Sequence, residues 1–298
     1  MTSFEILGLG EVLWDLLPSG PRLGGAPCNF AFHCRQLGHS SAIVSRIGAD
    51  DWGKKLAAEL DRFHVPRALV QTDTQHATGT VSVALNQEGH PTYTITENVA
   101  WDFVEPPEDL LALVAPARVI CFGSLAQRLE TSRHTIRQIL HTSRSLPGRR
   151  IHIFDVNLRQ HFFSTELLDA SLRLADWVKV NEEELAVLAN LFDLPKVTDL
   201  STLASLRERY NLSLACMTRG ERGCVVQTAD EQIDEPGVAV QVADTVGAGD
   251  AFTAGLACLS LEGKPLRNVV RFANRYAARV AASVGATPEI DRKTIHDD

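Results

Sequence analysis

Short apolar runs alternating with longer helical stretches constrain this chain more than any other feature. Residues 4–9 are apolar and end in glycine, as a buried first strand does. Further strands are predicted at 41–47, 118–122, Ile151–Asp155, 177–180 and Leu214–Thr218, with helical patterns between them. Helices are predicted at 30–37, stopped by Gly38, and at 52–63, 250–261 and 266–282. Such alternation predicts an α/β fold with a largely parallel central sheet and helices on both of its faces. One segment changes period. Val81, Val83 and Leu85 alternate with small or polar residues, Tyr93 and Ile95 alternate in turn, and Asn86-Gln-Glu-Gly89 supplies a turn between them. No linker, repeat or low-complexity tract interrupts the pattern, so one domain over 1–298 with a small added β element is expected.

Composition narrows the partners. A formal charge of −8 with no Lys/Arg run argues against a nucleic-acid or anionic-membrane surface. An anionic substrate then needs a local positive site. No basic leader precedes an apolar stretch, and no apolar run nears the ~20 residues of a spanning helix. Six cysteines, at 28, 34, 121, 216, 224 and 258, form no Cys-x-x-Cys pair, so reduced structural thiols and a cytoplasmic location are expected. Cys28 is taken as a packing residue, and His33, His39, His64 and His152 as surface or helix positions, since none has metal-ligand spacing.

The segment richest in chemistry is Asp244-Thr-Val-Gly-Ala-Gly-Asp250, followed by a small-residue helix. Gly247, Ala248 and Gly249 let backbone amides approach a ligand where a helix begins, and free N–H groups with the helix dipole make an anion site there. Asp250, in the same first turn, can accept a proton from a hydroxyl attacking that anion. Helix capping by Asp244 or Asp250 is the competing account. Two acids flanking three tiny residues exceed what a cap requires. No Walker sequence is present, and Gly8-Leu-Gly10 lacks the third glycine of a dinucleotide fingerprint, so phosphate binding rests on this helix start.

The string Asp244-Thr-x-Gly-Ala-Gly-Asp250 resembles the C-terminal signature of the ribokinase-like (PfkB) carbohydrate kinases, and Gly25-Ala-Pro-x-Asn29-x-Ala31 resembles their N-terminal one. Matches at Gly10-Glu11, Ile47-Gly-Ala-Asp-Asp-Trp-Gly53, Asp155-x-Asn157-x-Arg159, Asn181-Glu-Glu-Glu184, Thr218-x-Gly220-x-x-Gly223 and Asn274 extend the resemblance over nearly the whole chain. It implies an ATP-dependent transfer of the γ-phosphoryl group to a primary hydroxyl of a small sugar. Asp250 would be the base and the amides of Gly247, Ala248 and Gly249 the charge stabilisers.

Other roles follow from the resemblance residue by residue. Arg159 would offset γ-phosphate charge, where a surface salt bridge is the alternative. Asn181 and Glu184 would join the magnesium–phosphate water network, although their spacing is equally that of a capping box. Thr218, Gly220, Gly223 and Asn274 would line the nucleotide, with Arg219 departing from the apolar residue usual after the threonine. Asp244 and the carbonyl near Val246, helped by carbonyls around 280–289, would hold an activating K⁺. Asp15 and Asn29 would bind sugar hydroxyls, with Gly24 and Gly25 allowing close backbone approach. Segments 11–24 and 77–103 would form a β-sheet lid over the sugar, which in relatives often makes a homodimer contact.

Within the family, Gly10-Glu-Val-Leu-Trp-Asp15, Gly24-Gly-Ala-Pro-Cys-Asn29 and Asp155-Val-Asn-Leu-Arg-Gln160 resemble fructokinase-like members. Ala26-Pro27 stand where ribokinases carry a Gly-Gly-Lys-Gly loop. Kinases for ribose, nucleosides or 2-keto-3-deoxygluconate share the scaffold. A sugar-sensing binder without turnover is the rival outside enzymes, and it would have no need of Asp250.

Overall fold

The computed structural model describes residues 3–85 and 91–295, so the turn expected at 86–89 lies outside the described residues. In chain order the strands are β1 (Ile6–Leu9), β2 (Leu13–Leu17), β3 (Gly20–Gly24), β4 (Ser41–Gly48), β5 (Val70–Asp73), β6 (Thr80–Leu85) and β7 (Pro91–Ile95). There follow β8 (Val119–Phe122), β9 (Ile151–Asp155), β10 (Trp177–Asn181), β11 (Leu214–Thr218), β12 (Cys224–Gln227) and β13 (Gln232–Glu235). The helices are α1 (Ala26–Gln36), α2 (Asp51–Arg62), α3 (Leu110–Val114), α4 (Glu130–Ser145), α5 (Thr165–Leu174), α6 (Glu182–Leu191), α7 (Asp199–Arg209), α8 (Ala248–Leu261) and α9 (Leu266–Ala281).

A nine-stranded sheet runs β13-β12-β11-β10-β9-β8-β1-β4-β5. It is parallel from β11 to β5, and only β12 and β13 join antiparallel. From β1 the chain first builds outward through β4 and β5, then returns to β8 and builds the other way. The strand order therefore reverses between β1 and β8, and ligands of open α/β sheets bind beyond the strand C-termini at such a point. Strand alternation separates the two faces. Ile6, Val119, Cys121, Ile153 and Cys216 point toward a core shared with α1, α8 and α9. Leu7, Leu9, Ile120, Phe122, Phe154 and Val180 point toward α4–α7. Phe30, Phe252 and Tyr276 are buried in the first core, each contributing about 1.5–3 kcal/mol by leaving water.

The small β element is a separate four-stranded sheet in the order β3-β2-β6-β7, the expected lid. Trp14 and Leu23 root it in a third apolar cluster with Phe32, Ile43 and Leu56, so it is anchored against α1, β4 and α2.

Two local expectations change. The first helix starts sooner than the stretch at 30–37 indicates, because α1 begins at Ala26 and Pro27 sits in its first turn, where a missing N–H costs nothing. His33 takes a helix position in α1, as expected, whereas His152, in β9, is neither at the surface nor in a helix. His33 is wholly buried, with Nδ1 2.9 Å from the Tyr276 hydroxyl and Nε2 2.9 Å from the Ala286 carbonyl. Burial pushes its pKa down to about 4, so it is a neutral clamp between α1, α9 and the loop at 286. His152 lies inside β9, its ring between the Leu174 carbonyl and the Ser143 hydroxyl.

Candidate active site

The C-terminal ends of β1, β9 and β10 and the N-termini of α1 and α8 converge on one cluster. α8 begins two residues earlier than the pattern of apolar residues indicated, with Gly247 at its N-cap in the left-handed region at φ 80°. A Cβ there would stand 2.5 Å from the Ala286 carbonyl oxygen, so glycine is required both for the turn and for the neighbouring loop. Of the three amides expected at the anion site, that of Ala248 is directed at the Thr245 carbonyl, 3.3 Å away. Those of Gly247 and Gly249 have no protein acceptor among the described residues.

Asp250 follows in the first helical turn, where the Asn29 amide donates to its Oδ2 at 2.8 Å. That bond joins two segments 221 residues apart in sequence. Burial and the neighbouring Asp155 carboxylate push the Asp250 carboxyl up to about 7, against the Asn29 bond and the charges of Lys179 and Arg159. Beneath it, Lys179 and Asp155 form a buried ion pair of 3.0 Å, and the Thr253 hydroxyl stands 3.0 Å from the other Asp155 oxygen. Against the burial that disfavours its charge, the carboxylates of Asp155, Glu184 and Asp250 hold the Lys179 ammonium well above the usual lysine range. Lys179 also underlies the phosphate turn, since a Cβ on Gly249 would sit 2.9 Å from its Nζ.

On the small-sheet side, Asp15 folds over Gly24 so closely that a Cβ there would stand 2.2 Å from Asp15 Oδ2. Burial raises the Asp15 carboxyl to about 6, with Arg159 opposing and Asp244 reinforcing. Gly25, at φ 106°, packs on the Glu11 carbonyl, where a Cβ would approach to 2.4 Å. Arg159 is exposed, and its charge also lowers the carboxyls of Glu11 and Asp250.

The remaining expected residues fall into two further groups. Asn181 and Glu184 make a complete capping box at the start of α6, with the Glu184 amide 2.8 Å from Asn181 Oδ1 and the Asn181 amide 2.9 Å from Glu184 Oε2. Glu184 Oε1 also accepts the Leu158 amide at 3.0 Å, which ties α6 to the loop carrying Arg159. Thr218, Gly220 and Gly223 form the β11–β12 corner. Gly223 packs on Pro236 and Gly237, and the Asn274 amide donates to the Pro236 carbonyl at 2.8 Å. Gly223 and Asn274 thus share one wall built on Pro236, while the Thr218 hydroxyl faces the Val180 carbonyl at 3.4 Å. Arg219 pairs with Asp234 of β13, which accounts for the departure at that position.

Asp244 Oδ1 accepts the Val246 amide at 3.0 Å, and its Oδ2 accepts the Gly285 amide at 3.2 Å. The Arg22 guanidinium of β3 stands 3.8 Å from the same Oδ2. Two amides leave lone pairs free on that carboxylate, so the expected monovalent-cation ligand keeps its capacity to bind one. Magnesium fits too. Glu11, Asp155, Glu184 and Asp250 act on one another around Lys179 and Arg159, leaving two acids in excess. No three metal-ligating side chains meet among the described residues, so the ion would be held through nucleotide phosphates and water, with Glu184 at its edge.

Residues 21–293 match the pfkB family of carbohydrate kinases. The chain belongs to that family. A fructokinase of Salmonella typhimurium is 34% identical over 269 residues, 86% of this chain and 85% of its own. A solved structure of an uncharacterised sugar kinase from Pyrococcus horikoshii is 30% identical, with a TM-score of 0.78 over 95% of this chain and 93% of that one. A fructokinase double mutant from Vibrio cholerae, solved with fructose, ADP and potassium ion, is 25% identical, with a TM-score of 0.78 over 96% of each chain. The chain is accordingly a carbohydrate kinase, a phosphotransferase acting on an alcohol group.

Sequence reasoning left two residues of the kinase cluster without a role. Lys179 sits in the apolar run Trp-Val-Lys-Val, and a lysine inside a buried strand is itself a signal, because lysine is almost never buried unpaired. Glu11 is 2% exposed, and its Oε2 has no hydrogen-bond partner. Burial pushes its carboxyl up to about 7, with Asp250 adding to the rise. Asn29 Oδ1 is likewise buried without a partner among the described residues.

The elevated Asp250 carboxyl predicts a pH dependence. A base must be ionised to act, so kcat/KM should rise with pH and reach half its plateau near 7. A profile flat from about pH 5 to pH 9 would contradict an ionisable base at this position.

Proposed function

We propose that the chain is an ATP-dependent fructokinase, a single kinase domain over 1–298 whose lid elements, 11–24 and 77–103, cover the sugar. The observation that carries the reading is the hydrogen bond from Asn29, in the sugar-side helix start, to Asp250, in the phosphate-side helix start. It brings an acceptor carboxylate and a hydroxyl-binding amide to one point. Fructokinase names among relatives near one-third identity favour fructose as acceptor.

In this reading Asp15 and Asn29 orient the sugar, while Gly24 makes room for the Asp15 carboxylate rather than for the sugar and Gly25 for the Glu11 carbonyl. Asp250 takes the proton of the attacking hydroxyl as its oxygen bonds to the γ-phosphorus. The bond from that phosphorus to the departing ADP oxygen breaks. Gly247 and Gly249 donate amides to the transferring group, and Arg159 adds positive charge. Thr218, Gly220, Gly223 and Asn274 line the nucleotide. Bound magnesium would neutralise charge on the β- and γ-phosphates, with Asn181 and Glu184 contacting its waters. Closure of the lid excludes water, which otherwise competes as acceptor. Pairing of two copies through the lid and a cytoplasmic location belong to the same reading. One relative's structure contains potassium ion, and the resemblance carries that ion to Asp244 and Val246.

ADP release from ATP–Mg²⁺ against fructose, ribose, glucose, 2-keto-3-deoxygluconate and adenosine tests the assignment. Turnover concentrated on fructose is expected. Preference for another acceptor would leave the phosphotransfer intact and remove fructose.

A further inference from the structure

We propose that Arg128 is a positioning residue for phosphoryl transfer, one guanidinium that clamps both ends of the β6–β7 pair and the loop carrying Arg159. This role deepens the kinase reading and rests on it. Arg128 lies between the short helical turn Leu125–Gln127, beyond β8, and the start of α4. Its side chain is 5% exposed and pairs with the wholly buried Asp102. Nε and Nη2 reach the two Asp102 oxygens at 2.7 Å each, a double bond pattern that fixes the plane of the guanidinium.

Asp102 stands on a firm footing. Its turn, Ala100–Phe103, is tied to α4 by the Ser132 hydroxyl, which donates to the Trp101 carbonyl at 2.7 Å and accepts the Val104 amide at 2.8 Å. From there Arg128 makes three further contacts. Nη2 donates to the carbonyl of Thr96, directly after β7, at 2.6 Å. Cζ lies 4.1 Å from the centre of the Trp101 ring, and a Cβ on Gly79, directly before β6, would stand 2.2 Å from that indole's Nε1. The Gly79 carbonyl in turn accepts the amide of Trp14, the neighbour of Asp15, at 3.0 Å. Cζ is also 4.7 Å from the centre of the Phe162 ring, and the Phe162 amide donates to the Arg159 carbonyl at 3.0 Å. A guanidinium stacked on aromatic rings out of water is held more strongly than one at the surface.

The two halves of the small sheet are therefore rooted differently. β2 and β3 sink Trp14 and Leu23 into their own apolar cluster, whereas β6 and β7 place Val81 and Ile95 in the large core and are gripped at both ends through Arg128. Asp15 on the sugar side and Arg159 on the phosphate side are thus both referred to one rigid group. Reacting groups lose rate steeply when such supports shift, even from a distance. Lysine cannot replace this arginine. A single ammonium cannot hold both Asp102 oxygens and the Thr96 carbonyl, and it has no flat face to stack on Trp101 and Phe162.

The experiment compares the full wild-type chain with Arg128→Lys and Phe162→Ala, using ATP–Mg²⁺ and the best acceptor. Arg128→Lys loosens the small sheet, so KM for the sugar should rise about 10-fold while KM for ATP stays within about 2-fold. Water then competes for the γ-phosphoryl group, and the share of ATP converted to inorganic phosphate should rise at least about 5-fold. Phe162→Ala keeps the ion pair with Asp102 and frees the Arg159 loop, so kcat should fall about 10-fold with KM for the sugar within about 2-fold. Hydrogen exchange locates the loosening without substrate. It should quicken at 91–96 and 158–163 in Arg128→Lys, and at 158–163 alone in Phe162→Ala, with β8 and β9 unchanged in both. Unchanged exchange at these segments in either variant, or exchange quickened throughout the chain, overturns the clamp. So does a variant whose kinetic constants match the wild type. Should Arg128→Lys fail to fold, Phe162→Ala decides by the same criteria. Silence of the wild type across all acceptors would count against the fructokinase reading, and the exchange pattern would still decide the clamp.

Discussion

Replacing Asp250 with asparagine should lower kcat by roughly 10²–10⁴ while leaving the protein folded, the range associated with loss of a general base. Asparagine keeps an oxygen where Oδ2 accepts the Asn29 amide, so the link between α1 and α8 survives. It also removes a carboxylate that burial already disfavours, so no stability is expected to be lost. What disappears is the proton acceptor. The rate should also lose its dependence on pH near 7. A variant that turns over near the wild-type rate would mean that the proton goes elsewhere, with Glu11 the nearest buried carboxyl of matching pKa.

The second large effect is on stability. Lys179→Met should destabilise the fold by about 3–5 kcal/mol, because it leaves the buried Asp155 carboxylate with only the Thr253 hydroxyl as partner. The same change removes the ammonium that opposes the rise of the Glu184 and Asp250 carboxyls, so both should titrate higher. Thermal melting near pH 8 reads the loss as a Tm lower by roughly 5–15 °C. A shift of under about 1 °C would show that the pair contributes nothing net, as some buried pairs do. The double change Lys179→Met with Asp155→Leu separates the cases. It should recover part of the loss, since no unpaired charge then remains.

These two residues also mark how far the sequence could be read. Asp250 was accessible from local chemistry, because three tiny residues before an acid at a helix start have few structural explanations. The strand–helix alternation was equally accessible, since the two faces of the sheet are built from strictly alternating apolar side chains such as Ile6 and Leu7. Lys179 was passed over because hydrophobic periodicity treats 177–180 as one apolar run and is blind to a partner 24 residues earlier. The Asn29–Asp250 and Arg22–Asp244 contacts join opposite ends of the chain, and only the folded sheet brings them together. The burial of His33 within its helix is hidden for the same reason. Its neutral state inside the core depends on Tyr276 and Ala286, which no local window contains. Glu184 shows the converse. Its spacing from Asn181 announced a capping box, and the box is there, yet its other oxygen is held by the Leu158 amide beside Arg159. Local spacing identified the first bond and carried no information on the second.

The most direct measurement of the central claim is the fate of the phosphoryl group, followed by ³¹P NMR with fructose and ATP–Mg²⁺ for the wild type and Asp250→Asn. The account predicts a fructose phosphomonoester growing in step with ADP for the wild type, and ATP left essentially intact by the variant. Fructose left unmodified by the wild type, or the phosphomonoester formed equally fast by the variant, would contradict it.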